Sequence, residues 1–180
     1  MIDQDFFLLY ATLFLILYVI YDLFRYRKEE RSLLQRFLFY SFVFYMINVI
    51  RLTLFPIMFM PTSFSVQFVP FFFMMESLDS GYIARTYLEN FILLLPLGFY
   101  LPLLFQRFRK LKFTIFAAFI LTTSIETIQL LMRLTIGSLR TFNVDDIILN
   151  TSGAILGYFL YKITMVIIKK YNYSVLKSFE

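Results

Sequence analysis

The chain has 180 residues, of which 60% are hydrophobic, 21% aromatic and only 16% charged. A soluble domain is about half apolar and about a quarter charged, and a core this small cannot bury the excess, so the composition excludes an ordinary water-soluble globule and points to a bilayer as solvent. The absence of Cys and His removes disulfides, thiol nucleophiles, Cys/His zinc sites and imidazole acid–base chemistry, and the net charge of +5 matters less than where the charges fall.

A spanning helix needs about 20 mostly apolar residues. Taken in chain order, the first such stretch runs from Phe6 to Phe24. Asp3 and Asp5 precede it where a cleavable signal would carry positive charge, so it is read as a retained span. A second span lies between Leu33 and Phe59, interrupted by Arg36 and Arg51. The run Val69-Pro70-Phe71-Phe72-Phe73-Met74-Met75 is apolar but too short to cross, and is expected to re-enter the membrane or lie at its interface. A third span runs from Leu88 to Phe105, with Pro96 and Gly98 expected to kink it midway. A fourth runs from Phe113 to Met132 and a fifth from Ile147 to Ile168. The expected fold is all-α: one integral membrane domain over residues 1–180, a helical bundle of about five transmembrane helices.

Basic residues then orient the spans. Arg25, Arg27, Lys28, Arg31 and Arg36 follow span one; Arg107, Arg109, Lys110 and Lys112 follow span three; Lys169, Lys170 and Lys177 close the chain. Only Arg85, Arg133 and Arg140 fall on the other side. Since positive charge stays cytoplasmic, the N-terminus is expected outside and the C-terminus inside, in a multi-pass protein of the cell membrane. The basic clusters are read as topology signals with attraction to anionic lipid, not as nucleic-acid binding.

Polar residues gather toward the outer face. In span four, Thr122, Glu126, Gln129 and Arg133 recur at spacings of four, three and four, which stacks them on one side of a helix. In span five, Asp146, Asn150, Gly153 and Gly157 repeat that spacing. Gly153-x-x-x-Gly157 suits close approach of another helix and turns Asp146 and Asn150 toward the protein interior. Asn90 enters span three from the same side, and Asp145 and Asp146 sit where carboxylates cap the start of span five. Arg140 offers the planar fork that suits phosphate or carboxylate. The candidate binding set is therefore Asn90, Glu126, Gln129, Arg140, Asp145, Asp146 and Asn150, with Glu126 and Asp146 as candidate catalytic carboxylates and with no metal or cofactor expected. A purely structural reading, in which these groups bond one another or water, stands beside it.

In order and spacing, several pieces resemble the VanZ-like family of membrane proteins. They are Arg51-Leu52-Thr53-Leu54-Phe55-Pro56, Val69-Pro70-Phe71, Asn90 through Gly98 with Pro102, Glu126-Thr127-Ile128-Gln129, Arg140 through Asp146, and Asn150-Thr151-Ser152-Gly153-Ala154 with Gly157. The resemblance covers residues 48 to 160. Family members often carry Asp where this chain has Asn143, Phe where it has Leu94, and Ser where Thr122 supplies the hydroxyl. The resemblance implies an envelope protein with an accessory role in resistance to glycopeptide antibiotics, chiefly of the teicoplanin type, and implies no defined reaction.

Three functions fit these residues. The first is binding of an amphiphile in the outer leaflet: a membrane lipid, a lipid-linked wall precursor or a lipoglycopeptide tail. Arg140 would hold an anionic head, and the Pro96 kink and Gly153 stripe would shape a slot for acyl chains. The second is an intramembrane enzyme acting on a lipid head group, with Glu126 and Asp146 as acid and base. The third is a lipid transporter or flippase, which the lack of an internal repeat argues against. A homodimer is left open.

Overall fold

The computed structural model describes residues 3–25, 33–57, 66–81, 84–137 and 142–171. They form α1 (Gln4–Arg25), α2 (Leu33–Leu54), β1 (Val66–Gln67), α3 (Phe72–Ser80), α4 (Arg85–Leu93), α5 (Leu95–Leu104), a 3₁₀ turn (Gln106–Arg109), α6 (Leu111–Ile136), β2 (Phe142–Asn143) and α7 (Val144–Tyr171). Five helical stretches are long and apolar enough to cross a membrane: Gln4–Asp22, Leu33–Leu54, Arg85–Leu104, Leu111–Ile136 and Val144–Lys170. The chain is a helical, multi-pass membrane protein, and its five spans are those expected from the sequence.

Their bounds shift for local reasons. α2 stops at Leu54 because Pro56 disfavours a helical conformation at Phe55. α6 runs past Met132 to Ile136, where Gly137 turns left-handed (φ 67°) and donates its N–H to the Arg133 carbonyl at 3.1 Å. α7 starts earlier than its apolar run because Asn143 caps it, its Oδ1 accepting the Asp145 N–H at 2.9 Å. The third span breaks at Leu94, two residues before Pro96, whose ring and missing N–H disturb the turn preceding it.

The chain divides into two compact units, residues 1–57 with 166–180, and residues 58–165. In the first, α1 and α2 form an antiparallel pair. Phe7 stacks on Phe55 at one end, with ring centroids 4.6 Å apart, while Arg36 bonds Asp22 at 2.6 Å at the other. Tyr40 also donates its hydroxyl to Asp22. Arg36, which the sequence suggested as a topology charge, is thus a buried partner within the helix pair.

In the second unit, the α4–α5 span packs against α7 backbone to backbone. A Cβ on Gly153 would lie 1.8 Å from the Phe91 carbonyl oxygen, one on Gly157 1.9 Å from that of Leu95, and one on Gly98 1.8 Å from that of Ala154. The glycine stripe is the packing seam expected, and it is filled by helix backbone, so it leaves no slot for an acyl chain. At the end of this unit where α5 turns into α6, Thr114 Oγ1 donates to the Phe108 carbonyl at 2.8 Å and Tyr158 Oη to that of Arg109 at 2.7 Å, which fixes the basic turn.

At the other end, β1 and β2 pair in parallel, Val66 with Phe142 and Gln67 with Asn143. Each strand leads into a helix, β1 toward α3 and β2 directly into α7. At nine residues, α3 is about 13 Å long, less than half the ~30 Å hydrocarbon core, so it cannot cross.

Candidate functional site

The inward face of α6 is polar for most of its length. Thr114, Thr122, Glu126, Gln129 and Arg133 are all buried, and Ala118 fills the one remaining turn. In its first three turns α7 buries Asp145, Leu149, Asn150, Gly153 and Ala154, of which Asn150 reaches this stripe. Burying such polar groups is costly unless they are bonded, and Glu126, Thr122 and Asn150 are bonded between α6 and the β2–α7 segment.

Two links tie the stripe to the start of α7. Glu126, 2% exposed, accepts the Asn143 backbone N–H on Oε2 at 2.8 Å. About one turn deeper, Asn150 Nδ2 donates to Thr122 Oγ1 at 3.0 Å. Glu126 lies ten residues before the end of α6, about 15 Å along the axis. The cluster is therefore recessed well below the tip of α6, and β2 descends beside that helix to reach it.

Asn143 is the hub. Its backbone N–H goes to Glu126, its Nδ2 donates to Asp146 Oδ1 at 3.0 Å, and its Oδ1 caps α7. An aspartate at this position would have no amide to give Asp146. The residue that looked like a weakened carboxylate in the sequence makes three bonds that join two carboxylates and a helix start. Its place two residues before Asp145, at an Asx capping position, was the available signal.

Asp145 is 1% exposed and turns away from the cluster. Its Oδ1 accepts the Phe71 N–H at 2.6 Å and its Oδ2 the Phe73 N–H at 2.8 Å. The sequence placed this aspartate as a cap for span five; its carboxylate instead holds the start of α3, more than 70 residues earlier. The bond also holds Phe71 in a left-handed conformation (φ 63°), unusual for a bulky residue and sustained by its surroundings.

The other expected members divide. Gln129 shares the buried face of α6 with Glu126. Asn90 is half-buried on α4, next to Phe91, whose carbonyl meets Gly153. It has no hydrogen-bond partner in the cluster among the described residues. Arg140 lies outside the described residues. Among those described, Glu126 and Asp146 both take donors from Asn143 while Asp145 takes its donors from Phe71 and Phe73, and no three acidic residues gather at metal-ligand spacing. Chemically, the arrangement offers carboxylates and amides held at fixed positions along a buried polar stripe.

A sequence model of the VanZ/LLP1 family matches residues 42–167, from α2 nearly to the end of α7. None of the curated proteins and none of the solved structures matches the chain.

Proposed function

The chain belongs to the VanZ/LLP1 family, and from that premise we propose that it binds an amphiphile from the outer leaflet and acts as an accessory to glycopeptide resistance of the teicoplanin type. The observation that carries this reading is the recessed polar cluster of Glu126, Asn143, Asp146, Thr122 and Asn150 inside a chain that is otherwise apolar. Intramembrane ionisable residues are rare and mark functional sites by default. The basic turn at Arg107–Lys112 lies at the opposite end of α6, which supports an outward-facing cluster, an external N-terminus and a cytoplasmic C-terminus. In this reading Arg140, between α6 and β2 in the sequence, holds an anionic head, and the Glu126–Asn143 bond fixes the start of α7 that follows. The amphiphile is a membrane lipid, a lipid-linked wall precursor or a lipoglycopeptide.

The test is to purify the wild type and the Glu126→Gln, Arg140→Ala and Asp146→Asn variants gently and identify the lipids that accompany each by mass spectrometry. A lipid class held by the wild type and lost by folded variants supports the reading. The same bulk lipids in all four would remove it, and a head-group product from the wild type alone would replace binding with catalysis. Reporters fused to either terminus test the orientation.

A further inference from the structure

A lateral cavity of about 800 Å³ opens in the second unit, lined by Phe73, Ser77 and Leu78 of α3, Tyr87 and Phe91 of α4, and Leu149 of α7. It is about twice the size of the apolar grooves along α1–α2 (about 390 Å³) and α6 (about 440 Å³), so it is not the ordinary corrugation of a lipid-facing helix. Both hydroxyls in its wall are already used: Ser77 donates to the Phe73 carbonyl at 2.6 Å, and Tyr87 donates to Glu76. Two N–H groups at the start of α3, those of Phe71 and Phe73, are taken by Asp145. The cavity therefore offers hydrocarbon surface and little for water, and apolar cavities of that kind stay dry and take apolar guests. Its rim continues into side chains that face outward, Leu78 at 82% exposure and Leu88 at 49%. Gly81, also at the rim, has open space where a side chain would project.

We infer that this cavity is a binding site for one acyl chain of a bilayer lipid, entering sideways between α3 and α4. The occupant is hydrocarbon because α4 is part of the α4–α5 span and α7 is itself a span, the rim is continuous with their apolar surfaces, and the described wall is predominantly apolar. The head group of that lipid is directed toward the start of α7, since Leu149 in the cavity wall is one turn from Asp145 and Asp146. This inference rests on the amphiphile reading above and moves its chain-binding slot from the glycine seam to the α3–α4 cleft.

The experiment places the full chain in vesicles of phosphatidylglycerol and phosphatidylcholine that carry a trace of phospholipid with a mid-chain diazirine. After illumination, adducts are mapped by mass spectrometry. Labelling at Phe73–Leu78 and Leu149 should exceed that at Phe116, an outward residue of α6, by about tenfold, equivalent to about 1.4 kcal/mol of preference. Leu149→Trp should bring the cavity signal down to the Phe116 level while Phe116 labelling holds. Leu78→Trp, at an outward position that tolerates bulk, makes the same test without a buried change. Equal labelling at the cavity and Phe116, or cavity labelling unaltered by Leu78→Trp, overturns the site. Cavity labelling that both variants reduce, together with no selective lipid class on purification, keeps the chain site and removes the head-group reading. A selective class without cavity labelling does the reverse.

Discussion

Glu126 Oε2 accepts the backbone N–H of Asn143 at 2.8 Å. A buried carboxylate halfway along α6 thereby holds the residue from which α7 begins. Because Asn143 also bonds Asp146 and caps α7, this contact ties the start of α7 to the middle of α6. Glu126 and Asp146 thus meet through one residue, Glu126 on its backbone N–H and Asp146 on its side-chain amide, which makes them parts of one framework.

Removing that acceptor should unsettle the start of α7. Glu126→Ala leaves the Asn143 N–H without its acceptor in a buried setting, with an expected loss of about 1–3 kcal/mol. Glu126→Gln retains an oxygen that can accept and should lose less. Thermal unfolding of both variants in detergent, followed by circular dichroism, checks the order; equal losses would show that the charge matters and the hydrogen bond does not.

The glycine seam should be far less forgiving than the glycine of the α3 turn. Gly153→Ala or Gly157→Ala drives a Cβ into helix backbone at under 2 Å, so one span must move away from the other. Folded yield should collapse for both. Gly81→Ala meets no atom within 4 Å and bears only the left-handed backbone cost (φ 74°), about 1–2 kcal/mol. Size-exclusion profiles of the three variants compare them directly.

Asp145→Asn keeps the size of the side chain but has one acceptor oxygen for two N–H donors. Its amide NH₂ then meets one of the two backbone donors, from Phe71 or Phe73. Losing a charge-assisted bond worth about 1.5–3 kcal/mol should lower amide protection there by roughly ten- to hundredfold. Hydrogen exchange read by mass spectrometry should show the change across Phe71–Ser77 and leave the centre of α6 as it was. Uniform loss of protection would mean that Asp145 supports the unit as a whole.

In the first unit, Asp22 and Arg36 should be coupled. Removing one charge strands the other within the helix pair, whereas removing both leaves a neutral, hydrogen-bonding pair. Asp22→Asn and Arg36→Gln should each destabilise the protein more than the double variant does. A double-mutant cycle on thermal unfolding measures the coupling, and additive losses would show that the two residues act independently.

The spans were legible because each carries about 20 apolar residues, a length that water-soluble helices of this composition do not sustain. The α6 stripe was legible for a related reason: Thr122, Glu126, Gln129 and Arg133 follow the helical repeat, and all four are buried. Pro96 announced the broken span, although the break falls at Leu94. What stayed hidden were pairings between residues remote in the chain. Nothing local to Asp145 says that its partners are Phe71 and Phe73. Arg36 looked like one more basic residue at a membrane edge, because only the antiparallel return of α2 brings it to Asp22. The cavity was missed for the same reason, since its walls come from three separate helices.

The Asp145 bond also sets a timetable. Asp145 is translated 72 residues after Phe73. At about 5–20 residues per second, α3 waits on the order of 4–14 s for the carboxylate that holds its first turn. During that interval the nascent segment carries apolar bulk and open N–H groups together, the combination that membrane insertion machinery or a chaperone would need to shelter. Ribosome stalling between α4 and α7 would therefore leave a chain whose first spans are complete and whose short helix lacks the carboxylate that holds its first turn.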